Sequence, residues 1–430
     1  MTKQFARYES YKDSGVAWLG EIPAHWEFTR LGTKFIERRT KVSDKDYPAL
    51  SVTKGGIVPQ LENAAKTNDG DNRKLVKTGD FVINSRSDRK GSSGISIYEG
   101  SVSLINIVLQ PLFIDSKYCH YLLKSYSFIE EFYRNGHGIV ADLWTTRFDE
   151  MRTILLSLPN SEEQQRIANF LDKKTTQIDE AIAQKEKMIE LLKEYRQIII
   201  NNAVTKGLGP NVPMKDSGIE WLGQIPAHWE VKKLKFTLIE KLKYGANESG
   251  VEYSEKLPRY IRITDFSNNG KLSDVNKLSL PARIANDYLL KDGDILFARS
   301  GATVGKSYQF KKNISNEDSY CFAGYLIKAS ANEQLILSDF LYLYTNSPLF
   351  YLWKDFMFNK ATIENIGADK YAQLPVIIPP IEEQTKILEV FKELNDKIEA
   401  SIICKQQEIE KLKEYKATLI DSAVTGKIKV

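Results

Sequence analysis

Lys12–Leu31 reads KDSGVAWLGEIPAHWEFTRL, and 203 positions later Lys215–Leu234 reads KDSGIEWLGQIPAHWEVKKL, identical at 14 of 20 positions. A looser echo links Pro159–Thr205 to Pro379–Thr425 at a constant offset of 220. It aligns Glu162-Glu163-Gln164 with Glu382-Glu383-Gln384, Lys193-Glu194-Tyr195 with Lys413-Glu414-Tyr415, and Ala203-Val204-Thr205 with Ala423-Val424-Thr425. Between these landmarks the two stretches share little. A duplicated frame around two divergent inserts implies one scaffold that presents two different surfaces.

A chain of 430 residues should hold two or three domains. Its 42% hydrophobic and 27% charged residues are those of an ordinary globular protein with real cores. No apolar run approaches the roughly 18 residues of a membrane span, and the start, Met-Thr-Lys-Gln-Phe-Ala-Arg-Tyr, has no apolar signal region. Cys119, Cys321 and Cys404 make neither a disulfide frame nor a CxxC metal knuckle. The expectation is a cytoplasmic protein with no membrane contact and no metal of its own.

Net charge is only +4, but it is unevenly placed. Residues 34–90 carry 13 Lys/Arg against 8 Asp/Glu, and residues 232–312 carry 16 against 9. The repeated segments 161–206 and 381–430 are balanced, at 8 against 8 and 9 against 10. Cations thus gather in the divergent inserts, where a phosphate-contacting surface would put them.

The inserts read as mixed α/β. Short runs at Asp80–Asn84, Ile95–Tyr98, Leu104–Leu109, Tyr260–Ile263, Asp294–Ala298 and Tyr325–Lys328 are bounded by turn residues and predict strands. Helices are expected around Lys117–Tyr133 and Glu333–Phe350. Gly79-Asp80-Phe81-Val82-Ile83 before Arg86 is matched by Gly293-Asp294-Ile295-Leu296-Phe297 before Arg299, so each insert reads as a version of one fold.

The second repeated block predicts a long helix in each copy. Prolines stand outside its start and Glu-Glu-Gln occupies the first turn, where carboxylates suit the helix dipole. A stripe at spacings of four and three then runs through Ile178, Ile182, Lys185, Ile189, Leu192, Arg196, Ile199 and Ala203. The second copy gives Ile398, Ile402, Lys405, Ile409, Leu412, Lys416, Leu419 and Ala423. Such a helix, about 64 Å long at about 1.5 Å per residue, needs a partner for its stripe, and the other copy is the obvious one. The simplest antiparallel register sets Lys185 against Lys416 and Arg196 against Lys405, an unfavourable facing of like charges. Either the register differs, or those layers turn towards acidic groups or a third chain.

The block Trp18–Glu27, repeated as Trp221–Glu230, resembles the signature that heads each half of specificity subunits of type I restriction-modification systems. Gly293–Gly305 (GDILFARSGATVG), Arg259–Phe266 (RYIRITDF) and Ile377–Gln384 (IIPPIEEQ) resemble the same family. The resemblance covers essentially the whole chain. It implies a first target-recognition domain at 1–158, a central helical region at 159–206, a second target-recognition domain at 207–378 and a C-terminal helical region at 379–430. The implied fold class is α/β (α+β): two mixed domains with two long helices packed as an antiparallel coiled coil, in a pseudo-two-fold repeat. The implied partners are double-stranded DNA, two methyltransferase subunits and the restriction/translocase subunits. S-adenosylmethionine, ATP and Mg would belong to those subunits, with no cofactor and no catalytic residue here.

The candidate DNA-contacting residues follow from basic loops and from that resemblance. Arg299, Ser300, Thr303 and Lys306 lie in a small-residue loop after a strand, where Arg suits bidentate contact with guanine; the bland alternative is a β-turn with a solvated Arg. Arg86, Ser87, Arg89 and Lys90 form the denser basic loop of the first insert, which departs more from the family pattern. Lys54 and Arg262 occupy early positions in their inserts, and Arg147 and Lys360 late ones. His25-Trp26 and His228-Trp229 read as packing staples, with indoles buried and histidines hydrogen-bonded. The spacer is assigned to Ile178, Ile182, Ile189, Leu192, Ile199, Ile398, Ile402, Ile409, Leu412 and Leu419. Four residues inserted near Ile199–Ala203 would lengthen it.

No Asn-Pro-Pro-Tyr-like methyltransferase motif and no phosphate-binding P-loop is present. A chain serving a fused methyltransferase–nuclease, a coiled-coil adaptor for proteins and an autonomous nuclease are the rival readings. The adaptor leaves the sorting of cations into the inserts unexplained.

Overall fold

The computed structural model describes residues 5–60, 70–138, 144–209, 211–266, 272–301, 304–314, 316–358 and 365–430. The chain divides into two compact units, Met1–Glu186 with Lys405–Val430, and Lys187–Cys404. Each unit combines one lobe with a portion of both long helices.

The repeated frame makes the same elements in each unit. The WLG block is folded between two short strands, Tyr11–Asp13 paired with Glu21–Pro23, and Met214–Asp216 paired with Gln224–Pro226. The next strand, Glu27–Arg30 or Glu230–Lys233, pairs antiparallel with the strand that ends the insert, Leu155–Leu158 or Pro375–Ile378. Each insert is therefore a loop whose two ends are stitched together before the long helix starts.

Within the inserts, a four-stranded sheet recurs. In the first lobe its order is Ser93–Ile95, Phe81–Asn84, Asn106–Pro111, Phe35–Glu37; in the second it is Ser307–Gln309, Ile295–Ala298, Leu326–Ala329, Lys243–Tyr244. The runs Phe-Val-Ile-Asn and Ile-Leu-Phe-Ala are buried throughout, as central strands covered on both faces must be. A smaller sheet differs between lobes: three strands in the first, four in the second, where Arg259–Ile261 pairs parallel with Tyr320–Phe322.

Several boundaries depart from the sequence reading. The strand expected at Ile95–Tyr98 ends at Ile95, because the Ser96 hydroxyl donates to the Tyr98 carbonyl at 2.7 Å and closes a turn. Leu104 and Ile105 form a turn before the strand Asn106–Pro111. The strand expected at Tyr260–Ile263 gives way to a 3-10 turn at Ile263–Asp265. The single helix expected at Lys117–Tyr133 is two, Ser116–Lys124 and Tyr126–Arg134, since extended Ser125 ends one and caps the next by accepting from Phe128 N. The second lobe breaks likewise into Ser338–Thr345 and Pro348–Phe358.

The long helices run over Ser161–Thr205, 45 residues, and Ile381–Val424, 44 residues. All ten assigned spacer residues are buried or half-buried. In the first unit Lys416 pairs with Asp179 at 2.7 Å and Lys185 with Glu408 at 2.5 Å, so rising numbers on one helix meet falling numbers on the other. In the second unit Arg196 pairs with Glu399. The simplest register is thereby overturned: each cation meets an acid, which removes the facing like charges. Arg196–Glu399 and Lys416–Asp179 are counterparts, since both members shift by 220. Lys185–Glu408 has no counterpart, because Met188 stands where the matching acid would be. Lys405 turns instead to Glu408 of its own helix.

Trp26 and Trp229 are 1% and 0% exposed, in the main cores of their lobes. His25 bonds Glu163 at 3.0 Å and His228 bonds Glu383 at 2.8 Å, with Trp229 Nε1 donating to the same carboxylate. Removing a filled indole leaves a large cavity, so Trp229→Ala is expected to cost about 3–5 kcal/mol, read as a lower denaturation midpoint in urea. A loss as small as that of a surface substitution would contradict the packing role.

Hydrogen bonds from Lys185 and Lys405 hold the Glu408 carboxyl at about 2, below its ordinary 4.5. A carboxyl depressed by folding adds stability above its unfolded pKa, and that stability is lost as pH falls from 4.5 towards about 2. The Tm difference between wild type and Glu408→Gln should therefore be widest at neutral pH and close across that window. A pH-independent difference would rule the pairing out.

Candidate nucleic-acid interface

The turn Lys77–Asp80 launches the central strand of the first lobe: Asp80 accepts from Lys77 N at 2.8 Å and holds Arg38 through two bonds of 2.7 and 3.0 Å. In the second lobe Asp294 accepts from Lys291 N at 2.8 Å and from the Ser330 hydroxyl at 2.5 Å. Both strands run from a pinned turn to an open end, and the candidate residues lie at that end.

Three segments meet there in each lobe. Ser85 N donates to Ile105 O at 3.2 Å, and Arg299 N donates to Tyr325 O at 3.1 Å. Thr146 N donates to Ser85 O at 3.0 Å, and Ile366 N donates to Arg299 O at 2.9 Å. Arg86 bridges Thr145 as Ser300 bridges Asn365. Strand end, turn tip and late-insert segment are thus joined by the same bonds in both lobes.

This equivalence places the two arginines differently. Arg299 stands where the first lobe has Ser85, and Arg86 stands where the second has Ser300. A one-residue displacement in extended backbone turns a side chain to the other face. Arg299 is half-buried: its guanidinium lies 5.1 Å from the centre of the Tyr244 ring and donates to Gly324 O at 3.4 Å. Arg86 is exposed and lines a groove of about 550 Å³ with Arg39, Lys41, Lys74 and Arg147. Glu37 and Asp149 are the groove's carboxylates, and Glu37 pairs with Arg39 at 2.6 Å and with Lys74 at 2.9 Å. Leu104 and Ile105 complete its rim.

The other candidates are placed as follows. Ser87 and Lys90 line a neighbouring groove of about 550 Å³ with Trp18, Tyr133 and Trp144, and Lys90 pairs with Glu130 at 2.7 Å. Arg89 is exposed, 3.7 Å from Asp88. Lys54 is an exposed turn residue. Arg147 heads the short helix Phe148–Met151, its N–H held by Glu150 at 2.7 Å. Arg262 is engaged internally, with Asp265 at 3.0 Å and Asn276 O at 2.8 Å, so its side chain braces the 3-10 turn. Lys306 closes the hairpin by accepting from Ala298 N at 2.9 Å through its carbonyl. Thr303 and Lys360 lie outside the described residues. Sequence reasoning missed Arg39, Lys41, Lys74, Leu104, Ile105 and Tyr325, which no motif marks and only folding assembles.

Among the described residues, no group of three His, Cys, Asp or Glu side chains could hold a metal ion, and no helix is long and apolar enough to cross a membrane. The two repeated histidines are spent on Glu163 and Glu383. What these surfaces offer is hydrogen bonding, charge and apolar contact.

Comparison with known proteins agrees with this arrangement. The model of the type I restriction modification DNA specificity domain matches residues 226–411. The putative type I restriction enzyme MjaX specificity subunit of Methanocaldococcus jannaschii is 25% identical, over 99% of this chain and 98% of its own. The type I restriction enzyme StySPI specificity subunit of Salmonella potsdam is 25% identical over 74% of this chain and 68% of its own. A chain from a structural study of assembly and conformational transition in the type I R-M system shares the fold at a TM-score of 0.68, with 16% identity over 94% of this chain and 98% of its own. The HsdS subunit of Thermoanaerobacter tengcongensis does so at 0.52, with 17% identity over 95% and 98%. With the duplicated frame and the lobe topology in place, residues 226–411 match the type I restriction modification DNA specificity domain, and the whole chain is similar to type I restriction enzyme specificity subunits.

Proposed function

We propose that this chain is the non-catalytic subunit that selects the DNA sequence of a type I restriction-modification complex, one lobe reading each half of a split target. The observation that carries the proposal is the open strand end: the same backbone bonds in both lobes present different side chains. A shared frame with rewritten tips is what two unlike half-sites require. The groove cations Lys41, Arg86 and Arg147 would meet phosphate oxygens, and the tip residues base edges. Methyltransferase and restriction subunits would dock on the shared frame and supply S-adenosylmethionine, ATP and Mg chemistry.

Two experiments test this. Exchange of residues 32–158 for another family member's insert should alter one half of the methylated sequence and leave the other intact; changes in both halves would sink the division of labour. Arg86→Ala and Arg147→Ala should each weaken DNA retention by the assembled complex across all sequences, and each should reduce the slope of log affinity against log salt by about one. Slopes equal to wild type would remove these residues from the phosphate contacts.

The paired helices would act as a spacer between the half-sites. Ile200, Ala203 and Val204 are buried in the core of the second lobe, so an insertion near Ile199–Ala203 would damage that core. The better test adds one heptad to each helix, after Glu190 and after Ile402. That lengthens the pair by about 10 Å, or roughly three base pairs. The unspecified gap in the methylated sequence should widen accordingly, with both half-sites unchanged. A gap of unaltered length would refute the spacer.

A further inference from the structure

The turn tips at the open strand ends are the least explained part of each lobe. Leu104 and Ile105 are adjacent apolar side chains, 40% and 38% exposed. Among the described residues they stay partly open to solvent, although the strands on either side are largely buried. Their backbone is fixed: Ile105 O accepts from Ser85 N at 3.2 Å, and Asn106 N donates to Ser103 O at 3.0 Å. The same position in the second lobe is Tyr325, 63% exposed, whose carbonyl accepts from Arg299 N at 3.1 Å.

An exposed apolar side chain alone is ordinary, but this pair is held at the lip of a cationic groove and is open to whatever molecule enters it. Here the surroundings say which. Lys41, Arg86 and Arg147 share the groove with Leu104 and Ile105, so a polyanion that seats against those cations is brought onto the tip. A duplex offers apolar contact at base edges through the thymine methyl group in the major groove. We propose that Leu104 and Ile105 are specificity-determining residues of the first half-site, touching thymine methyl groups, and that Tyr325 holds the equivalent place in the second. This rests on the DNA-reading function proposed above and deepens it. The tip fixes which base is accepted, whereas the neighbouring cations set affinity for any duplex.

The test uses the chain assembled with its methyltransferase partners, on a target first mapped by sequencing methylated genomic DNA. Leu104→Ser with Ile105→Ser should lower preference for thymine roughly tenfold at one or two positions of one half-site, with the other half unchanged. Tyr325→Ser should act on the opposite half alone. Deoxyuridine placed at each thymine of the wild-type target should reproduce the loss at the same positions, and this arm needs no protein variant. Unchanged preference in the variants, a uniform loss across both halves, or indifference of wild type to deoxyuridine at every position would overturn the assignment. If the wild-type complex showed no sequence-selective binding at all, the DNA-reading function itself would fall, which is a separate result.

Discussion

The structure depends on one buried contact made twice, where a glutamine in the first turn of each long helix enters its lobe. Gln164 accepts from Asp115 N at 2.9 Å and donates to Pro159 O at 2.9 Å. Gln384 accepts from Leu337 N at 2.8 Å and donates to Leu335 O and Pro379 O at 3.1 and 2.8 Å. A buried amide with both ends satisfied is costly to displace. It locks the helix onto the start of the lobe's own helical layer, and the preceding glutamate locks the same turn onto the repeated tryptophan block. Helix direction and lobe orientation are set together within each unit.

From that anchor the division between constant and variable parts follows physically. The framing strands tie both ends of each insert to the frame, so the insert can be rewritten between fixed points. Within it the central strand must remain apolar on both faces, and its entry turn must keep an aspartate to receive backbone N–H groups. Freedom remains only past the strand's far end, where side chains face water. Variation concentrates where substitution costs little stability, and that is also where a ligand can be contacted.

Most of the frame was legible in the sequence because it is written twice. The heptad stripe, the Glu-Glu-Gln turn and the tryptophan block each announce themselves by recurrence. The interface was much less so. Arg86 and Arg299 look alike after their Gly-Asp strands, yet one residue of displacement sends them to opposite faces, and only the backbone bonds of Ser85 and Arg299 reveal it. Arg262 looked available, but Asp265 three residues on claims it. Arg147 lies more than 100 residues beyond Arg39 and Lys41, and no local pattern tells that one groove collects them. Recurrence marks what is shared, and a reading surface is what is not shared.

The central carboxylate of Glu408 has a consequence for which chains can associate. It serves ammonium groups from both helices, and the corresponding site in the first copy is Met188. Two first-copy helices brought together would set each Lys185 beside a thioether and neutralise neither. One helix of each kind satisfies both lysines with a single acid. The first-copy helix therefore depends on the second for the acid that neutralises Lys185, whereas Lys405 has Glu408 on its own helix, so duplication has left the two copies unequal: the second can satisfy its own lysine and the first cannot.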